Sequence, residues 1–165
     1  AGGMAILTDN IREADKDNPK GYYEFEAVKQ LEKNQEWLPQ ARGKAVKIIS
    51  QLLKHLPAEF EYKVIFIRRN MKEILASQKQ MLLRRGEPTD AVADDTLADL
   101  FQKHLMQIQG WLEQQANFDI LYVHHREALE NPGKIAGQVE SFLKAGLDVE
   151  KMQSVIDRSL HRQKF

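Results

Sequence analysis

Cysteine is absent from all 165 residues. Disulfides and thiolate metal sites are thereby excluded, and the composition fits a reducing, cytoplasmic setting. Net charge is absent too: 24 Lys+Arg balance 24 Asp+Glu. No global field draws the chain to nucleic acid or to a membrane surface, so neither is expected as a partner and any basic site must be local. No apolar run approaches the ~20 residues that a bilayer span needs, and no signal-peptide pattern opens the chain. Internal repeats and low-complexity linkers are missing as well. What remains is ordinary for a globular chain, 42% hydrophobic and 29% charged. The length predicts a single domain over residues 1–165 that buries ~70% of its unfolded surface. The start, Ala1-Gly2-Gly3-Met4, reads like the end of a helix that began earlier, which makes an incomplete N-terminus the expectation.

The most informative stretch runs from Tyr62 to Ser77. Its first half, Tyr62 to Ile67, is β-branched and aromatic and suits a strand buried on both faces of a parallel sheet. Its second half carries Met71, Ile74, Leu75, Met81 and Leu82 at helical spacing. Asn70 is placed to cap that helix, and Glu73 three positions on completes a capping-box pattern. Between strand and helix stand Arg68 and Arg69. Guanidinium groups beside a helix N-terminus at the carboxyl edge of a sheet make an anion site. Ser77 lies two turns into the helix, ~10 Å along its axis, on nearly the same face as Asn70, so one phosphate can bridge the loop and this hydroxyl. On residue types alone the arginine pair also fits a solvated sheet edge, and the serine an inert surface position.

Elsewhere the pattern alternates. Residues 8–21 are polar loop, followed by Tyr22, Tyr23 and Phe25 interleaved with Glu24 and Glu26. Aromatics beside carboxylates line substrate pockets or anchor a loop, and both readings stand. A helix is predicted over Glu24–Asn34, a second buried strand over Ala45–Ser50 with Lys47 inside it, and a short helix over Gln51–Leu56. A long helix follows over Asp90–Ala116, with Leu97, Leu100, Phe101, Leu105, Ile108, Trp111 and Leu112 as its core stripe. The third strand is Asp119–His124. His124 and His125 alternate sides there, so no metal site is expected. A turn of helix over Arg126–Leu129 comes next, then one opened by Asn131-Pro132 and ended by Gly146, then a short one capped by Asp148 and a basic tail. Strands alternating with helices predict a three-layer α/β/α fold with a mainly parallel sheet.

At Arg69-Asn70-Met71-Lys72-Glu73-Ile74-Leu75-Ala76-Ser77 the chain resembles the sulfotransferase family. That family has a P-loop NTPase-like fold and uses 3'-phosphoadenosine 5'-phosphosulfate as sulfuryl donor without a metal. Its 3'-phosphate motif is an arginine at a strand end, then Asn-Pro, an acidic residue, and a serine on the following helix. Met71 replaces the usual proline, which at the first helical position only preorganises the turn. Ala45–Ser50 with Leu56-Pro57, Asp119–Leu129, Asn131–Leu143 and Leu160-His161-Arg162 are similar to further family segments, and Asp17–Glu24 resembles a segment of bacterial members. The resemblance implies that Arg69, Ser77, Asn70 and Arg68 bind the donor nucleotide.

Two departures stand out. The 165 residues contain no glycine-rich phosphosulfate loop. The resemblance places that loop and its strand before Ala1, so this chain by itself is expected to be inactive. The histidine found in many members two positions after the lysine matching Lys47 is Ile49 here. Other members use a glutamate, and the resemblance then implies Glu24 as base, with Lys47 at the bridging oxygen. The acceptor, whether small molecule, glycan or peptide, is left open; loops at Gly21–Phe25 and Arg85–Asp94 are expected to shape its pocket. Two alternatives are another P-loop enzyme of kinase type, which needs Mg²⁺ and an acidic strand end, and a non-catalytic interaction domain built on the long helix.

Overall fold

A computed structural model describes residues 1–16, 18–89 and 93–160. The chain divides into two compact units, a smaller one of Gly3–Glu61 and a larger one that comprises Ala1–Gly2 and Tyr62–Phe165. It is a mixed α/β protein, and the two strands among the described residues pair in parallel.

In the larger unit, β1 (Tyr62–Arg68) and β2 (Phe118–His124) pair in register from Tyr62 opposite Phe118 to Arg68 opposite His124. Both segments are rich in β-branched and aromatic residues, which pack well on a pleated surface. The Tyr62 and Phe118 rings lie 4.7 Å apart, and Trp111 meets Phe118 edge-on at 5.4 Å. Phe66, Val123, Phe118, Ile108, Leu112, Ile135 and Ala136 form the core. The expectation of a strand buried on both faces is corrected. Ile67 is 56% exposed, and Lys63 faces solvent, its ammonium donating to the Phe142 carbonyl at 2.7 Å.

Helix α1 (Met71–Arg85) begins and ends as its sequence dictates. The Asn70 side chain accepts from the Lys72 amide at 2.9 Å, and Gly86 closes the helix at a left-handed φ of 69°. Helix α2 (Asp94–Leu112) is shorter than expected at its C-terminal end, while residues 90–92 lie outside the described residues. Its stripe is only partly core: Ile108 and Leu112 are buried, but Leu100 is 55% exposed. Apolar spacing defines a face, and its buried residues lie in the last turns, where Trp111 meets Phe118.

Helices α3 (His125–Glu130), α4 (Pro132–Leu143) and α5 (Val149–Ser154) complete the unit. Arg158 donates to the Leu129 and Glu130 carbonyls at 2.7 and 2.8 Å, satisfying the C-terminal end of α3. Helix α4 ends earlier than Gly146: Lys144 takes the left-handed position, with φ 53°, and its amide reaches the Glu140 carbonyl. Asp148 caps α5 as expected, accepting from the Lys151 amide at 2.9 Å. Gly2 packs on this helix in a turn at φ 67°, so close that a Cβ would stand 2.6 Å from Met152 Cγ.

The smaller unit departs most from expectation. Ala45–Ser50 is not a strand. Ala45 makes one isolated parallel bridge with Ile6, the backbone runs on extended, and a 3₁₀ helix follows over Ser50–His55. The pairing stops because Thr8 and Asp9 turn away to the Glu24 carbonyl, Thr8 Oγ1 donating at 2.8 Å and the Asp9 amide at 3.3 Å. The helix predicted over Glu24–Asn34 is a 3₁₀ segment, Glu26–Gln30, followed by turns. Leu31, Val28, Trp37, Leu38, Leu53 and Leu56 form this unit's core, with Phe25 edge-on to Trp37 at 5.4 Å. No helix among the described residues is long and apolar enough to cross a membrane.

Candidate functional site

The first cluster gathers where β1 hands over to α1. Arg68 ends the strand, its guanidinium carbon 4.0 Å from the Tyr122 ring centroid, a cation–π stack from the neighbouring strand. Its Nε is buried without a hydrogen-bond partner, an orphan donor of the kind that marks a missing acceptor. Arg69 follows. Its Nε donates to Glu73 Oε2 at 3.1 Å. The Arg69 side chain is 29% exposed and that of Glu73 only 4%. Neither Nη group of Arg69 has a partner among the described residues. Ser77 is half-buried one helical turn beyond Glu73, and its hydroxyl likewise has no partner among the described residues.

These donors suit a phosphate. A dianion needs several N–H and O–H groups converging with positive charge, and the handover supplies two guanidinium groups, the amide end of α1 and a hydroxyl. Glu73 occupies the Nε edge of Arg69, and neither Nη group is bonded among the described residues.

The second cluster lies wholly within the smaller unit. Glu24 Oε1 accepts from Lys47 Nζ at 3.2 Å and stands 3.5 Å from Arg12 Nη1. Lys47 also donates to the Tyr22 carbonyl at 3.2 Å. The Arg12 guanidinium lies flat on the Tyr22 ring, 3.3 Å from its centroid. The Tyr22 hydroxyl donates to Asp15 at 2.8 Å; burial, then this bond, pushes its ionisation above the ordinary value of 10.0. Asp9 fastens the loop from outside, accepting from the Glu26 and Ile11 amides, and these two bonds hold its carboxyl below the usual 3.8. Glu26 turns the other way, onto Lys29 at 2.8 Å.

Beside Glu24 opens a cavity of about 300 Å³ lined by Thr8, Asn10, Arg12, Lys20, Tyr22 and Tyr23 among others. Asn10, Gly21 and Tyr23 on its wall adopt left-handed backbone, with φ of 56°, 86° and 51°. Asparagine and glycine tolerate that region, whereas an aromatic residue there is strained.

The structure thus brings Arg68, Arg69 and Asn70 together at one handover, with Ser77 farther along the same helix. It also joins Glu24 to Lys47, which stand apart in the sequence. Two participants went unread in the sequence. Glu73 was taken for a capping residue, although its spacing of four from Arg69 matches a helical ion pair. Arg12 left no signal, since a loop folds it onto Tyr22 and Glu24. Of the expected acceptor loops, Gly21–Glu24 lines the cavity, whereas part of Arg85–Asp94 lies outside the described residues, as do Asp17 and the His161-Arg162 ending.

No curated protein and no solved structure matches the chain. A family model does: that of the sulfotransferase domain matches residues 18–163, a span that takes in the first cluster and, of the second, Tyr22, Glu24 and Lys47. With that match covering most of its length, and with the arginine–serine motif mounted on a strand-to-helix handover beside a parallel sheet, the chain belongs to the sulfotransferase domain family.

Proposed function

We propose that this protein binds 3'-phosphoadenosine 5'-phosphosulfate through the β1–α1 handover and serves sulfuryl transfer to a hydroxyl or amine acceptor, in a reducing, cytoplasmic setting. The observation that carries the proposal is Arg69: one edge of its guanidinium is anchored and both Nη groups are without a partner among the described residues, with Ser77 farther along the same helix. Arg69 and Ser77 hold the 3'-phosphate, Asn70 keeps the helix end open toward it, and Arg68 adds a second positive charge. When bound, the donor supplies the sulfuryl group and leaves as adenosine 3',5'-bisphosphate.

In the smaller unit, Glu24 is assigned the acceptor's proton. A carboxylate held between two cations keeps a fixed orientation, which a general base requires. Lys47 supplies positive charge for the bridging oxygen, and the cavity beside Glu24 admits the acceptor. Because the 165 residues hold no glycine-rich phosphosulfate loop, they are expected to bind nucleotide without turning it over by themselves.

Calorimetric titration with adenosine 3',5'-bisphosphate tests the reading. Binding is expected, weakened at least tenfold in Arg69→Ala and several-fold in Ser77→Ala, since hydrogen bonds to charged groups contribute roughly 1.5–3 kcal/mol. No binding, or binding indifferent to Arg69, defeats it.

A further inference from the structure

We infer that Glu73 is a positioning residue for recognition of the 3'-phosphate: it fixes the plane of the Arg69 guanidinium so that the Nη edge, and not the whole side chain in many rotamers, meets the ligand. The inference rests on the nucleotide reading above and gives the acidic residue of that stretch a role in it.

The carboxylate is unusual in its own right. Glu73 is 3% exposed, the one buried charged residue among the described residues. Glutamate is almost never fully buried unless paired, because removing a carboxylate from water is costly. Arg69 Nε donates to Glu73 Oε2 at 3.1 Å. That choice of atom matters. The five N–H groups of arginine lie in one rigid plane, so a bond to Nε orients the other four.

Placement supports the same conclusion. Glu73 sits in the first turn of α1, where the helix dipole favours a negative charge. It is four residues from Arg69 on one side and four from Ser77 on the other. It therefore stands on the helix between the two ligand-binding groups, and its carboxylate accepts from Arg69. Exposure falls from 29% at the Arg69 side chain to 4% at Glu73, so a buried carboxylate anchors a guanidinium that solvent still reaches. An unanchored arginine loses rotamer freedom when it captures a phosphate; one already held by a buried carboxylate has lost it on folding.

The test compares two nucleotides on the same protein: adenosine 3',5'-bisphosphate and adenosine 5'-monophosphate. Their affinity ratio isolates the 3'-phosphate. In E73Q, which keeps the shape and loses the charge, the ratio is expected to fall about tenfold while 5'-monophosphate binding stays within twofold. E73D, which restores the charge, is expected to recover most of the ratio. E73Q on top of R69A is expected to change nothing further, since the two residues act as one unit. A merely structural Glu73 would weaken both nucleotides alike, and that result, an unchanged ratio in E73Q, or an added loss in the double variant overturns the inference. A ratio near one in the unaltered protein, or one insensitive to R69A, sinks the nucleotide reading instead. Should E73Q fail to fold, nitrogen NMR of the unaltered protein decides. The Arg69 Nε–H signal is expected to be protected before adenosine 3',5'-bisphosphate is added and to stay so after; an unprotected signal in the free protein overturns the inference.

Discussion

Replacing Asn70 by aspartate is expected to separate stability from binding. The Asn70 side chain accepts from the Lys72 amide at 2.9 Å, and that bond is its whole service to the helix. Aspartate offers the same oxygen at the same reach, and the two residues cap almost equally well. Its negative charge also meets the positive end of α1, which contributes about 0.3–1 kcal/mol in exposed helices. The variant is therefore expected to unfold at the same temperature as its parent or slightly higher. Binding goes the other way. A phosphate seated on the first-turn amides comes within roughly 4–5 Å of that oxygen, where each pair of unit charges costs about 1 kcal/mol in water and several times more in a partly desolvated site. With the phosphate near −2, affinity for adenosine 3',5'-bisphosphate is expected to drop at least tenfold. The gap should narrow as salt rises from 50 mM to 0.5 M, because a shorter Debye length screens repulsion. Calorimetry at two salt concentrations, with a thermal melt of each protein, measures all of this. Unchanged affinity would mean that no phosphate sits at the α1 N-terminus; a melt lowered by more than a few degrees would mean that the cap depends on the amide and not on the oxygen.

Three further expectations concern the smaller unit. Leu31, fully buried at 0% exposure, should cost about 2–5 kcal/mol when cut to alanine, read as a lowered denaturant midpoint. Glu24→Gln should leave the melt within a few degrees of the parent, because ion pairs as exposed as these contribute about 0.2–1 kcal/mol. With a phosphosulfate loop supplied upstream and release of adenosine 3',5'-bisphosphate as the assay, the same change should lower turnover by about 10²–10⁴; a fall in stability without a fall in turnover would reverse its assignment. Asp9 gives a pH signature. Its carboxyl ionises below the ordinary 3.8 in the folded chain, so its contribution is fully present above that value and is lost as pH falls through the lower, folded one. Amide signals of Ile11 and Glu26 should therefore shift at acid pH, and Asp9→Asn should abolish the shift.

The two halves of the Tyr62–Ser77 stretch were legible because local chemistry decides them. A β-branched run, an asparagine at a helix start and a glycine just past its end act within a few residues of themselves, and β1, the Asn70 cap and the Gly86 stop all follow. Ala45–Ser50 has the same apolar character as β1, yet it makes one bridge and no strand. A strand needs a partner along its length, and Thr8 and Asp9 withdraw that partner by bonding to Glu24 instead. The stripe on α2 shows the same divide. Spacing marks one face as apolar, but only tertiary packing decides that Ile108 is buried and Leu100 is not.

The sequence by itself determined the elements flanking the anion site and the residue types at it, since caps, turns and strand propensity are local. Only the tertiary structure decided that Glu24 meets Lys47 and Arg12, and that Glu73 is buried against Arg69. The first set of contacts depends on loop closure across many residues. The burial of Glu73 depends on what packs around α1, which spacing along the helix does not encode.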